Sequence, residues 1–312
     1  MKVVFFGTPV FSVPSLERLV AGSHEVLLVV TRPSKPVGRK RVLTSPPIVD
    51  VALGHGLEVF QPKNLKPPEI VRRIQKTGAE VGVVVAFGRL IPSTLLALLP
   101  RGMVNVHPSL LPRHRGPSPI QWSLVCGDCV TGVSTMLLDE GMDTGPVFLQ
   151  EKVFIEQNED AGRLSKRLAE VGSDLLVKTL DGLESGLLEP TPQAEQGITV
   201  TPMLQREFGE IDWSRPARQI VNRLRGFTPW PGSYTTFRED RLKVFDLLEV
   251  EGPSPSGEDP GTVISVESDG ILVRCGGGTA VRITELQREG RRRMPVDAFL
   301  IGERVSCGEH LG

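Results

Sequence analysis

The sequence predicts a doubly wound α/β domain followed by a smaller domain of short strands, and three observations carry this. Through the first half, short Val-rich apolar runs alternate with helical patterns, the signature of βα units. Those runs are almost wholly apolar, as expected of parallel strands covered on both faces. Beyond residue 189 the texture changes to Pro and Gly punctuation and then to short β-type runs. At 312 residues the chain has room for two domains, and 39% hydrophobic with 23% charged residues is ordinary for a globular protein.

Taken in order, Val3–Phe6, Val26–Val30, Val81–Ala86, Met103–Val106 and Val133–Leu137 read as the strands of the sheet. Phe11–Val20, Ile48–His55, Pro68–Lys76, Ser93–Leu99 and Pro119–Cys126 read as its helices. A long amphipathic helix, Gly162–Leu187, closes the domain, with Leu164, Leu168, Val171, Leu175 and Leu176 near helical spacing. Pro190, Pro192, Gly197 and Pro202 sit among polar residues and read as a linker. Then come a helix, Ala217–Arg225, and the runs Ser233–Phe237, Leu242–Leu248, Gly261–Val266, Gly270–Arg274 and Ala280–Leu286, separated by turn residues. Such a series suggests a small barrel.

Chemistry concentrates at Asn105 and His107. Two residues apart on a strand, they point to one face. Pro108, Pro112 and Gly116 then end that strand, so an amide and an imidazole project where a strand meets a loop. Open α/β sheets bind ligands at such edges. Asp143 stands between Gly141 and Gly145, as expected where backbone turns tightly or approaches a neighbour closely. The segment Thr31–Ser45 holds Arg32, Lys35, Arg39, Lys40 and Arg41 with no acidic residue, and Pro33, Pro36 and Gly38 argue against a regular element there. Cys126 and Cys129 have CxxC spacing, but no second pair exists to complete a zinc site, and they read as packing cysteines. His24 and His114 read as structural.

Net charge is −1, which excludes the strongly basic balance of a typical nucleic-acid binder, so any RNA affinity has to come from local patches. No apolar run approaches the ~20 residues of a membrane span. The N-terminus lacks a signal-peptide pattern, and a cytoplasmic location is expected. Gly7-Thr8-Pro9 follows the first strand, but the spaced G-x-G-x-x-G is missing, which argues against a dinucleotide oxidoreductase.

Asn105-x-His107, then Ser109-Leu110-Leu111-Pro112-Arg113-x-Arg115-Gly116, then Gly141-x-Asp143-Thr144-Gly145, resembles the 10-formyltetrahydrofolate-dependent formyltransferases. The likeness runs over almost the whole chain. It includes Gly7-Thr8-Pro9, Pro33-x-x-Pro36-x-Gly38-Arg39, Phe87-Gly88-x-x-Ile91-Pro92, Ile211-Asp212-Trp213 and Phe227-x-Pro229-Trp230-Pro231. Pro108 departs from it, since relatives carry Gly there, and proline removes a backbone donor.

The resemblance implies a Rossmann-like formyltransferase domain over residues 1–189, a linker over 190–205 and an OB-like β-barrel over 206–312. It implies 10-formyltetrahydrofolate as co-substrate, no metal, and no required protein partner. The last two motifs belong to the branch that formylates initiator methionyl-tRNA, rather than glycinamide ribonucleotide or an amino sugar. By resemblance, Asn105, His107 and Asp143 are catalytic. Ser109, Leu110, Leu111, Pro112, Phe87, Gly88, Leu90 and Ile91 line the folate. Arg32, Lys35, Arg39, Lys40 and Arg41, with Arg291, Arg292 and Arg293, face tRNA.

The chemistry fits such a set. Acyl transfer to an amine builds an oxyanion and needs protons moved, and a preorganised donor to an oxyanion is worth ~3–4 kcal/mol. Asn105 offers an amide donor. His107, if protonated, offers a charged one, and a carboxylate at Asp143 would raise the His107 pKa. A non-catalytic RNA-binding module would not need all three.

Overall fold

The computed structural model describes residues 1–38, 41–250 and 259–312. The chain divides into two compact units. The first comprises Met1–Pro119, Val130–Phe154 and Ser165–Pro202; the second comprises Ile120–Cys129, Ile155–Leu164 and Met203–Gly312.

In the first unit β1 (Lys2–Gly7), α1 (Val13–Ala21) and β2 (Glu25–Val30) form the opening βαβ turn. β3 (Lys35–Val37) and β4 (Val42–Thr44) follow, then α2 (Pro47–Gly54), β5 (Val59–Phe60), α3 (Pro68–Lys76), β6 (Val81–Val85), α4 (Ser93–Leu96) and β7 (Met103–His107). α5 (Pro119–Val125) belongs with the second unit; beyond it the first unit takes up β8 (Val130–Leu137), β9 (Val147–Phe154) and all but the first turn of α6 (Ala161–Glu184). The sheet runs β5-β2-β1-β6-β7-β8-β9. α3 shows why these segments fold as they do: Ile70 and Ile74 fall on one face and are buried, while Arg72, Arg73 and Lys76 stay outside. Val4, Phe6, Leu28, Val30, Val84 and Met103 from the sheet meet that stripe in one core.

Three expectations are corrected. The sheet is mixed: β5-β2-β1-β6-β7 is parallel, but β8 runs antiparallel to β7, and β9 antiparallel to β8. His107 pairs with Ser134 in the middle of β8 and Val104 with Leu137 at its end, so the start of β8 lies beyond the end of β7. The connection after β7 therefore begins and ends at one edge of the sheet, and the next strand has to run back. Thr31–Ser45 does contain a regular element, because Lys35 pairs with Thr44 and Val37 with Val42 in a hairpin whose turn includes Gly38. Ser34 Oγ and Ser45 Oγ, 3.2 Å apart, close its base. Cys126 and Cys129 are exposed, not packed.

The second unit holds α7 (Ala217–Phe227), β10 (Ser233–Phe237), β11 (Asp240–Val250), β12 (Val263–Glu267), β13 (Gly270–Cys275), β14 (Thr279–Arg288), β15 (Met294–Pro295) and α8 (Val296–Gly302). Its antiparallel sheet follows the order β10-β11-β14-β13-β12, with β15 added on β14. Trp213, Ile220, Leu224, Val244, Ile283 and Phe299 meet in its core. Trp213 satisfies its indole N–H by donating to Thr235 Oγ1 at 3.0 Å. Among the described residues no helix is long and apolar enough to cross a membrane.

Candidate active site

Strand order locates the site. From β1 the chain winds outward through β2 to β5, then returns to β6 and winds the other way to β7. The reversal falls between β1 and β6, and ligands of such sheets sit beyond the carboxyl ends of the strands there. Gly7-Thr8, Thr31-Arg32, Ala86-Phe87-Gly88 and His107-Pro108 all leave strands at that edge. Thr8 Oγ1 donates to the Phe87 carbonyl at 3.1 Å, joining two of these ends.

Asn105 and His107 share a face of β7, Asn105 half-buried and His107 only 4% exposed. His107 Nε2 lies 3.0 Å from the His114 carbonyl oxygen. A carbonyl only accepts, so Nε2 carries the hydrogen and donates it. The other nitrogen, Nδ1, therefore presents its lone pair in the neutral ring, and Asp143 Oδ2 stands 3.6 Å from it. Burial lowers the His107 pKa; Asp143 and the His114 carbonyl oppose the shift without reversing it. In the neutral ring the one N–H is already engaged by the His114 carbonyl, which leaves Nδ1 as the free nitrogen, turned toward Asp143. Asn105 is the remaining side-chain donor on this face of β7.

Asp143 is held at its side chain and at its backbone. Its Oδ2 accepts from the Gly116 N–H at 2.7 Å. Its carbonyl accepts from Gln193 Nε2 at 2.8 Å, as does that of Gly145. Gln193 Oε1 in turn accepts from Arg115 Nε at 3.0 Å and from an Arg115 terminal nitrogen at 2.8 Å. The backbone of Asp143 has φ +55°, a conformation Asp tolerates better than most residues. Gly145 has no alternative, since a Cβ there would overlap the Leu137 carbonyl oxygen. Sequence reasoning assigned no role to Gln193 or Arg115. Arg115 stood inside the R-x-R-G motif, whereas Gln193 had no signal at all within a Pro-rich stretch.

The expected folate wall divides. Ser109 is fully buried and used structurally: its Oγ donates to the Arg113 carbonyl at 2.6 Å and its N–H to the His107 carbonyl at 2.9 Å. Leu111 is buried; Leu110 and Pro112 are half-buried. Phe87 and Ile91 belong to the core, Phe87 standing edge-on to Phe6 at 5.5 Å. Gly88 and Leu90 are exposed at the sheet edge, Leu90 by 80%.

The basic residues divide as well. Lys35 and Arg41 are exposed on the hairpin, while Arg39 and Lys40 lie outside the described residues. Arg32 is half-buried with its guanidinium against Gly88, so that a Cβ at Gly88 would lie 2.5 Å from it. Its buried Nε has no hydrogen-bond partner among the described residues. Arg291 and Arg292 are exposed, and Arg293 pairs with Glu285 and covers Phe245. One cluster with metal-ligand chemistry exists among the described residues, His24, Asp181 and Glu184. The Met1 ammonium already occupies it, 2.7 Å from Glu184 and 3.1 Å from His24 Nδ1.

Residues 1–180 match the family described as Formyl transferase, and residues 203–304 match Formyl transferase, C-terminal domain. A protein of Solibacter usitatus named methionyl-tRNA formyltransferase is 44% identical over 312 residues, covering 100% of this chain and 99% of its own. Its namesake from Geobacter metallireducens is 42% identical with the same coverage. Solved structures share the fold at lower identity. An N-formyltransferase from Helicobacter canadensis, in complex with folinic acid and dTDP-3-aminofucose, superimposes with a TM-score of 0.67 at 15% identity, over 92% of this chain and 98% of that one. HypX from Aquifex aeolicus with tetrahydrofolic acid gives 0.61 at 16%, over 99% of this chain and 50% of that longer one.

Proposed function

The chain belongs to the methionyl-tRNA formyltransferase family, and on that premise we infer that it transfers a formyl group from 10-formyltetrahydrofolate to the α-amino group of methionyl-initiator-tRNA. The product, N-formylmethionyl-tRNA, serves translation initiation. Residues 1–189 act as the catalytic domain, 190–205 as the connection, and 206–312 as an OB-like domain. The antiparallel order of its strands supports that last reading.

The observation that carries the mechanism is His107 Nδ1 facing Asp143 Oδ2 across 3.6 Å while Nε2 is engaged by the His114 carbonyl. His107 Nδ1 takes the proton that the attacking amine has to lose, and Asp143 stabilises the imidazolium so formed. His107 then returns that proton toward the departing nitrogen. Asn105 donates from its amide to the oxygen on which negative charge develops.

The co-substrate supplies the activated formyl group when bound. Gly88, Leu90, Leu110 and Pro112 would hold it at the sheet edge, and the unpartnered Arg32 Nε suits a polar group there. Lys35 and Arg41 of the hairpin, and in sequence Arg39 and Lys40, would approach the acceptor end of the tRNA, with Arg291, Arg292 and Arg293 as a second contact. The enzyme works in the cytoplasm, alongside the translation apparatus, without a protein partner.

The test is product formation from methionyl-tRNA and 10-formyltetrahydrofolate, with His107→Ala as the comparison. A variant at near wild-type rate refutes the assignment of His107. Arg39→Ala should narrow the preference for initiator over elongator tRNA without changing folate affinity.

A further inference from the structure

The second unit contains a cavity of about 350 Å³ that, apart from Arg293, shares no residue with the sites described above, and its volume is within the range of small-molecule sites. It is built by strand alternation. On β10 and β11, Ser233, Thr235, Phe237, Leu242 and Val244 turn inward and are buried. Tyr234, Arg241, Lys243 and Phe245 are left outside, with Tyr234 paired across the ladder to Lys243. Trp230 stands at the rim, 51% exposed, with no aromatic or cationic contact among the described residues.

The electrostatics are one-sided. Arg241 lies 3.4 Å over the Tyr234 ring, and it makes no ion pair among the described residues. The same holds for Arg206 and Lys243, both of which line the cavity. Arg293, by contrast, is neutralised by Glu285. The cavity therefore offers a large ring in water beside three uncompensated cations. Cations are repelled from such a place. A neutral apolar molecule leaves the three charges unused, and inorganic phosphate leaves the indole unused. A flat π-faced group carrying a phosphate uses both.

We propose that this cavity binds a nucleotide unit, its base stacked on Trp230 and its phosphate held by Arg206, Arg241 and Lys243. That unit is either an unpaired nucleotide of an RNA or a free mononucleotide. The proposal does not depend on formyl transfer, because no residue of the cavity belongs to the catalytic group.

The experiment is fluorescence anisotropy of a labelled single-stranded oligoadenylate with the full chain, in competition with AMP and with a short RNA duplex. Quenching of tryptophan emission that is lost in Trp230→Ala provides the signature of the site, because Trp122 and Trp213 remain in that variant. Trp230→Ala should weaken binding about tenfold or more. Lys243→Ala, an exposed position that spares the fold, should weaken it several-fold and shallow a salt slope of about −0.7, the value for the one single-strand phosphate placed there. Competition by AMP at a concentration comparable to the oligonucleotide supports the site and assigns it to free nucleotides; failure of AMP with binding by the oligonucleotide supports it and assigns it to RNA. Absence of binding by both overturns the proposal. So does equal binding by the duplex, or binding indifferent to both substitutions.

Discussion

Asp143→Asn is the cleanest perturbation of the catalytic pair. Asn keeps an oxygen able to accept from the Gly116 N–H and tolerates the positive φ of the position, so the loop should survive. The loss is the charge 3.6 Å from His107 Nδ1. Two unit charges at that distance attract by about 1 kcal/mol in bulk water and by about 5 kcal/mol at an effective dielectric of 20. Burial of the ring places the site toward the upper figure. If that attraction stabilises an imidazolium formed during the reaction, its loss slows turnover by between about tenfold and a few thousandfold.

The pH dependence has a definite sign. Neutral His107 is the active form, so activity is present above its pKa and lost as pH falls through it. Burial has lowered that pKa, so the acid limb of the wild-type enzyme lies below the ordinary imidazole value of 6.5. Asp143 pushes the pKa up, so Asn in its place moves the limb further down. Initial rates across pH, with unfolding curves for both proteins, decide the matter. A variant within twofold of wild type, or a limb that moves upward, refutes the reading of His107 as a base assisted by Asp143.

Gly145→Ala should lower both stability and turnover, because its Cβ overlaps the fixed Leu137 carbonyl; overpacking of this kind costs about 1–3 kcal/mol, and thermal unfolding reads it. Gln193→Ala removes the bonds to the Asp143 and Gly145 carbonyls and should cost about 1–3 kcal/mol. It should depress kcat more than it raises KM, since Gln193 steadies Asp143 and touches no substrate; an unchanged kcat refutes that role. In native protein, thiol reagents should label Cys126, Cys129 and Cys307 but spare Cys275, whose thiol is buried with its pKa pushed up to about 12. Mass analysis of the labelled protein checks this.

Features governed by local periodicity were legible in the sequence. Val-rich runs marked most of the strands, and Ile70 and Ile74 marked the buried face of α3. Asn105 and His107 were readable as a pair because strand alternation alone puts them on one face. Strand direction was not readable: the runs in β7 and β8 look alike, and only the route between them decides that β8 runs back. β9 was missed because its burial is discontinuous, with Gln150, Glu151 and Lys152 exposed in the middle. The hairpin at Lys35–Val37 was hidden by Pro36, which an isolated two-stranded element tolerates. The burial of His107 was not readable: sequence names the carboxylate that raises its pKa but not the desolvation that lowers it.

The segment that looks like a linker completes the site. Its Pro-rich composition suggests freedom, yet Thr199 and Thr201 lie alongside the loop that ends β7. Thr199 Oγ1 accepts from the His114 N–H at 2.7 Å, and the Thr199 carbonyl accepts from the Arg115 N–H at 2.9 Å. Thr201 donates to the Arg115 carbonyl through its N–H at 2.7 Å and its hydroxyl at 3.0 Å. The same loop supplies the carbonyl that fixes the His107 tautomer and the Gly116 N–H that fixes the Asp143 carboxylate. Gly116, at φ +107°, admits no side chain, because a Cβ would lie 2.6 Å from the Thr201 carbonyl oxygen. His107 and Asp143 are thus both oriented by one loop, and that loop is held in register by residues more than 80 positions away in sequence. The Arg115 guanidinium is spent on Gln193, which returns two hydrogen bonds to the Asp143 turn, so Arg115 bears on the proposed proton transfer through geometry alone.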